Sequence, residues 1–320
     1  MAEKIIFDTD PGIDDAMALL FAHALPNIDM MAITTVYGNG TIEDCTRNAC
    51  FLNDKFNMGA TVVRGAEGPI TRDPVGPTVV VHGEHGLGTV EAPADQPINI
   101  DSRPAHVYMS EMTRAHPGEI TLVAVGPLTN LALALEYDPE IVNNVKEVVI
   151  MGAAFGEQGH SGNISPVAEA NIYDDPHAAD VVFTADWHVV IVGLDVTHQT
   201  FFTGEYLDKL RDAAGDVGQF IWDVSRFYLK FYSERVGVNG CHVHDPSAVA
   251  YVADPSLFTT RKGPVRVVTD GPAIGMTIQK TDDKFYHHDQ WSSNRAQSVC
   301  VGVENERLLQ LYWDSILSLA

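Results

Sequence analysis

A chain of 320 residues (34.9 kDa) with 43 acidic and 20 basic side chains carries a formal charge of −23. That balance argues against a nucleic acid or an anionic membrane as partner, because a phosphate surface needs a basic face. An apolar share of 45% suits a large buried core and leaves disorder to short loops.

Cys45, Cys50, Cys241 and Cys300 are scattered without a CxxC pair. Neither a thiolate zinc site nor a disulfide framework is suggested, and free thiols in a reducing compartment are expected. MAEKIIFDTD contains no signal-peptide apolar segment, and no apolar run of 18 residues occurs. A soluble cytoplasmic protein is the expectation.

In chain order, residues 4–8 read as a short buried strand and residues 15–23 as a helix, with a Pro-Gly loop between them. A strand over 28–37, a helix over 41–56 and the strand ATVVRG follow. Residues 66–100, rich in Pro and Gly, form a long loop of the kind that is usually functional. A helix over 103–115, strand 120–125, helix 128–137 and strand 145–152 come next. After a Gly-rich loop at 153–165 the pattern gives a helix near 176–184, strand 188–195, and helices over 205–213 and 217–232. Residues 237–244 read as a loop and a helix begins at Asp245. VRVVT and IGMTIQ read as an antiparallel pair, and a helix over 304–317 closes the chain. Strands that are continuously apolar and alternate with helices predict an α/β fold: an open, mostly parallel sheet covered by helices on both faces, with a small antiparallel extension. Nothing resembles a linker, so residues 1–320 are read as one domain.

The stretch IIFDTDPGIDDAM packs Asp8, Asp10, Asp14 and Asp15 around the carboxyl end of the first strand, where open α/β sheets bind ligands. So many close carboxylates would raise each other's pKa values unless a cation balanced them. Oxygen ligands favour a hard ion, calcium or magnesium, and spacing leaves both open. The loop is neither an EF-hand nor a P-loop. Other polar strand ends, YGNG, VGPLTN, MGAAFGEQGHSGN and NGCHVHDP, are expected to ring a pocket, with Asp245 within reach of the cation held by Asp10 and Asp15.

Taken together, DTDPGIDDAMAL, YGN, VHGEHGLG, VGPLTNLALAL, MGAA, GNISPVAEANIYDDPHAA and HDP resemble the inosine-uridine-type nucleoside hydrolases over essentially the whole chain. The resemblance implies calcium-dependent hydrolysis of the N-glycosidic bond of a small ribonucleoside, and a homodimer or homotetramer. It makes Asp10, Asp15, Asp245 and the carbonyl of Val125 the calcium ligands. Asp14 and Asn39 would hold the ribose hydroxyls near the metal. Asn171 would bind the 3′ and 5′ hydroxyls, with Asn163 and Glu169 on the 5′ hydroxyl and Met151 lining the sugar pocket. His82 and His244 would lie near the base. Relatives often carry Phe where this chain has Ala170, which opens space above the ribose or base.

Cleavage builds positive charge on the ribose and negative charge on the base. A water activated beside Asp10 would attack, Asp14 and Asn171 would hold the sugar, and His244 is the first choice to protonate the base. Tyr228, Phe231 and Tyr232 form an aromatic stripe that suits core packing or base stacking, while His160 and His242 have no assigned role. His287 and His288 look like surface. Two other classes fit parts of the pattern. A metal-dependent phosphatase would use the DTD motif, although Pro11 and Gly12 intervene and the acidity repels phosphate. A non-catalytic nucleoside or ribose binder would use the same pocket.

Overall fold

The computed structural model describes residues 2–320. Among the described residues, twelve strands run in chain order as β1 (Glu3–Thr9), β2 (Ile28–Thr35), β3 (Thr61–Arg64), β4 (Ile120–Ala124), β5 (Glu147–Met151), β6 (Val189–Val192), β7 (Phe201–Thr203), β8 (Gly240–His242), β9 (Phe258–Gly263), β10 (Val265–Val267), β11 (Thr277–Gln279) and β12 (Gln297–Val303). Eight of them form one sheet in the order β3-β2-β1-β4-β5-β6-β12-β9. All neighbours in it are parallel except β12 and β9, which are antiparallel.

Side-chain alternation divides the core in two. Ile5 and Phe7 face a layer containing the helices Ile13–Ala24, Gly215–Arg235 and Asn305–Leu317. Ile6 faces a second layer built on Ala105–Ala115, Thr129–Tyr137 and Pro176–Thr184. Both faces are therefore dry, which is why the strands are rich in Val and Ile without polar alternation. Fully burying a side chain such as Phe7 stabilises the fold by about 1.5–3 kcal/mol.

The chain builds β1, β2 and β3 outward in one direction, then returns to add β4, β5 and β6 on the other side of β1. The switch lies between β1 and β4, so the loops after these strands diverge and leave a crevice at their carboxyl ends. Asp10 and Val125 stand at its two lips.

Several elements differ from the sequence reading. β12 and β9, which complete the sheet beyond β6, were not anticipated. Residues 237–244 are not simply a loop, because β8 pairs with β7. Residues 66–100 contain a helical turn at Val79–His82, and the helix Ala170–Asp174 precedes the expected one at Pro176. The antiparallel pair expected at 265–279 is β10 with β11. Among the described residues, no helix is long and apolar enough to cross a membrane.

Candidate active site

Asp8 and Asp10 do not share a destination. Asp8 lies on the face of Ile6, where its Oδ1 accepts hydrogen bonds from Thr34 Oγ1 at 2.6 Å and Asn130 Nδ2 at 2.8 Å. It is a structural carboxylate, and burial pushes its pKa up to about 7. Asp10 lies beyond the strand. Its Oδ2 accepts the Asn39 backbone N–H at 2.7 Å, and its Oδ1 is buried with no hydrogen-bond partner among the described residues. Gly38 and Gly126 press against this carboxylate: a Cβ on either would come within 2.1 or 2.6 Å of its oxygens. The glycines of YGN and VGP are thus required by the close approach of two loops to one acid.

Asp15 occupies the first turn of the helix Ile13–Ala24. Its Oδ2 accepts from the Gly12 N–H and Asn39 Nδ2, both at 2.9 Å, and its Oδ1 accepts from Thr9 Oγ1 at 2.6 Å. The helix N-terminus stabilises the negative charge here. Asp14 accepts the His244 N–H at 3.3 Å, which ties the first loop to the start of the helix Pro246–Ala253. Carboxylate oxygens of Asp14, Asp15 and Asp245 lie within 4.8 Å of one another, and all three residues are buried. The sequence reading grouped Asp10, Asp15 and Asp245; the tightest triple contains Asp14, with Asp10 beside it.

Burial and then the Asp15 charge push the Asp14 pKa up to about 7. Burial, followed by the charges of Asp14, Asp15 and Asp10, raises Asp245 well above the usual range. Asp10 is likewise raised, by burial first and Asp15 second. Carboxylates that repel one another in a dry site, one with an unpartnered oxygen, form a donor set that fits a hard cation.

The remaining expected residues converge on the same cleft, whose walls include Asp14, Asn39, His82, Val125, Met151, Asn163, Glu169, Asn171, His244 and Asp245. Asn171 Nδ2 donates to the Val125 carbonyl at 2.7 Å and the Met151 carbonyl at 3.2 Å. Glu169 caps the helix Ala170–Asp174, accepting backbone N–H groups of Ala153, Asn171 and Ile172 at 3.0 to 3.1 Å. Burial outweighs those amides and pushes its pKa up to about 7. Asn163 Oδ1 accepts the Ala170 N–H at 3.0 Å.

Aromatic rings form the opposite wall. Tyr228, Phe231 and Tyr232 all line the cleft, so the stripe serves the pocket as well as the core. His82 stacks against Tyr228 with ring centroids 5.6 Å apart. Its Nδ1 accepts the Ile13 N–H at 3.2 Å, which places the ring proton on Nε2. Burial drops its pKa to about 3. His244 is fixed at both nitrogens, Nδ1 by Thr197 Oγ1 at 2.8 Å and Nε2 by the Tyr232 hydroxyl at 3.4 Å. Burial first, then His198 and His242, lowers its pKa well below the usual imidazole range.

Sequence reasoning missed His198, which lines the cleft, and Thr197, which orients His244. Both lie in GLDVTHQT, a turn with no periodic signal. His287 and His288 are exposed, as expected.

A carboxylate cluster at the switch point of a parallel sheet, faced by a wall of rings, is the architecture of an enzyme that hydrolyses N-glycosyl compounds. The chain belongs to the inosine-uridine preferring nucleoside hydrolase family, whose description matches residues 5–310. It is 42% identical over 281 residues to the inosine-uridine preferring nucleoside hydrolase of Crithidia fasciculata, covering 87% of this chain and 88% of that one. It is 38% identical to uridine nucleosidase 1 of Arabidopsis thaliana, covering 96% and 91%. Among solved structures, a plant nucleoside hydrolase superposes with a TM-score of 0.94 at 36% identity, covering 99% of both chains. A purine-preferring ribonucleoside hydrolase from Gardnerella vaginalis gives 0.90 at 33%, covering 99% and 98%.

Proposed function

We propose that this chain is a calcium-dependent ribonucleoside hydrolase that releases ribose and a free purine or pyrimidine base, acting as one domain in the cytoplasm within a homodimer or homotetramer. The observation that carries the reading is the buried cluster of Asp14, Asp15 and Asp245, with the unpartnered oxygen of Asp10 beside it, facing a wall of rings across one cleft.

Asp10, Asp15, Asp245 and the Val125 carbonyl would hold the ion. Calcium, when bound, supplies positive charge that binds the sugar diol and makes a nearby water more acidic. Asp10 takes the proton of the attacking water, which its Oδ1, without any other hydrogen-bond partner among the described residues, is free to accept. Asp14 and Asn39 hold the ribose hydroxyls, so C1′ is fixed relative to the water. Asn171, Glu169 and Asn163 hold the other end of the sugar, against Met151. As the water oxygen bonds to C1′, the C1′–N bond breaks and its electron pair leaves with the base. The surrounding carboxylates favour the cationic sugar of the transition state. Tyr228, Phe231 and Tyr232 seat the base, with His82 at their edge. His244 supplies the proton that the departing base takes up, reaching it through the Tyr232 hydroxyl, to which its Nε2 is hydrogen-bonded.

A phosphatase is disfavoured by the cleft itself, which among the described residues is lined by no Lys or Arg. Steady-state hydrolysis of inosine, adenosine, uridine and cytidine, with calcium and after chelation, tests the proposal. Free base and ribose, lost on chelation and restored by calcium, is the expected result. Full activity in chelator would remove the metal, and no released base from any of the four would remove the reaction.

A further inference from the structure

Residues 70–72 lie early in the long Pro- and Gly-rich loop, and each is tied to the stretch 173–177. The Ile70 N–H donates to Asp175 Oδ2 at 2.9 Å, and Thr71 Oγ1 shares a hydrogen bond with His177 Nδ1 at 2.8 Å. Arg72 Nη2 donates to the carbonyl of Tyr173 and, at 3.2 Å, to that of Asp174. Its guanidinium lies over the Tyr173 ring, 4.9 Å from the centroid. Arg64, Arg103 and Arg266 pair with carboxylates. Arg72 instead directs its donors to main-chain carbonyls, and its Nε is buried with no partner among the described residues. A buried N–H left bare costs free energy, so the carbonyls and the ring dictate where this side chain sits.

Those carbonyls end the helix Ala170–Asp174. A helix of little more than one turn is not stable alone, and its last carbonyls have no partner within it. A cation at that end satisfies them and suits the negative pole of the helix. The Tyr37 hydroxyl adds a second donor to the Asp174 carbonyl, at 3.3 Å. Arg72 also offsets the repulsion that Glu169 and Asp175 impose on the Asp174 carboxylate. The other end of the same helix faces the cleft: Glu169 caps it, and the Asn171 amide spans the Val125 and Met151 carbonyls. Tyr173 is only two residues beyond Asn171, so a shift at the carbonyl end moves the groups at the cleft.

We propose that Arg72 is a positioning residue for the reaction: by locking the carbonyl end of this helix, it fixes Asn171 and Glu169 against the 5′ end of the ribose. The proposal rests on the hydrolase reading above. Arg72 is not one of the residues lining the cleft, and it acts only through those two. Its contribution is orientation. Contacts at the far end of the sugar hold C1′ in register with the attacking water, so binding energy remote from the broken bond appears in the rate. Lysine is an incomplete substitute, because an ammonium group is a compact charge that cannot both serve two carbonyls and lie flat on a ring.

The test compares uridine and inosine with their 5′-deoxy counterparts, which lack the hydroxyl that the helix would hold. In calcium, Arg72→Ala lowers kcat/KM on uridine and inosine about tenfold, roughly the worth of one hydrogen bond to that hydroxyl, and on the 5′-deoxy nucleosides by less than about threefold. Arg72→Lys, which keeps the charge and a donor, recovers part of the loss on the hydroxylated substrates. It carries the same comparison if the alanine variant does not fold. Equal losses on both substrate types, or no loss on either, overturn the assignment even though the unmodified enzyme is active. So does an unmodified enzyme that cleaves hydroxylated and 5′-deoxy nucleosides equally well. An unmodified protein that cleaves no nucleoside in calcium overturns the hydrolase reading beneath it. Unfolding midpoints for each variant report any loss of stability, and discrimination by the 5′ hydroxyl is a signature that a packing role does not produce.

Discussion

Replacing Gly126 by Ala inserts a single methyl group where the loop after β4 meets Asp10. The new Cβ would sit 2.6 Å from Asp10 Oδ1 and 2.8 Å from Val36 Cγ1. Relief of the first contact to an ordinary van der Waals distance requires a shift of roughly 1 Å, and the group most free to give is the Asp10 carboxylate, because Val36 is packed in the core. Overpacking of this kind costs about 1–3 kcal/mol of stability, a fall of a few degrees in Tm for a chain this long. The chemical cost is larger, since a misplacement of about 1 Å at a reacting group lowers turnover by about 100-fold. Gly126→Ala should therefore remain folded and lose kcat/KM about 100-fold, with weaker calcium retention. Urea unfolding and steady-state uridine hydrolysis on the same preparation measure both effects. Loss of activity no greater than the loss of stability predicts, or none at all, would show that Asp10 need not lie where these two glycines hold it.

Asp10→Asn removes the base while keeping the shape, so kcat should fall by at least about 100-fold; turnover equal to that of the unmodified enzyme would end its role. Thr9→Val deletes the 2.6 Å donor to Asp15, which should cost about 1–3 kcal/mol and weaken calcium binding in isothermal titration; unchanged affinity and stability would refute the bond's importance. In chelator, the folded-state pKa values of Asp14 and Glu169, raised to about 7 by burial, contribute stability that is complete below about pH 4 and is lost as pH rises through about 7. The chelated protein should accordingly unfold at lower urea at pH 8 than at pH 5, and calcium should narrow that gap; greater stability of the chelated form at pH 8 would contradict the sign. Ala170→Phe, placed on the cleft wall, should raise KM for purine more than for pyrimidine nucleosides, by about tenfold; equal changes for both would locate residue 170 away from the base.

The carboxylates of the first loop were legible because four acids in a strand-to-helix turn have no inexpensive explanation without a cation. The face on which each one sits was harder to read. Asp8 has the spacing of a partner for Asp10, yet Thr34 and Asn130, which claim it, come from β2 and from the helix after β4. β9 escaped notice because FTTRKG, a margin strand with exposed Thr259, Thr260 and Lys262, has the polarity of a loop. β12, QSVCVGV, escaped notice because its polar first residues and Gly302 interrupt the apolar run. His198 could not be found from spacing at all: its hydrogen-bond partner is 38 positions away, and only the fold brings it to the wall of the cleft.

The margins of the large sheet bear on how this protein behaves when crowded. At one end β9 runs against the direction of the rest, its exposed side chains Thr259, Thr260 and Lys262 are polar, and Gln279 Nε2 donates to the Arg261 carbonyl at 3.1 Å. At the other, β3 is four residues long and is bridged at Val63 by Asp101. Neither border offers another molecule a long, flat row of unused amides to stitch onto. Fibre-like growth by strand addition is blocked at both ends, and concentrated solutions should stay dispersed because of the outline of the sheet as well as the charge of the surface.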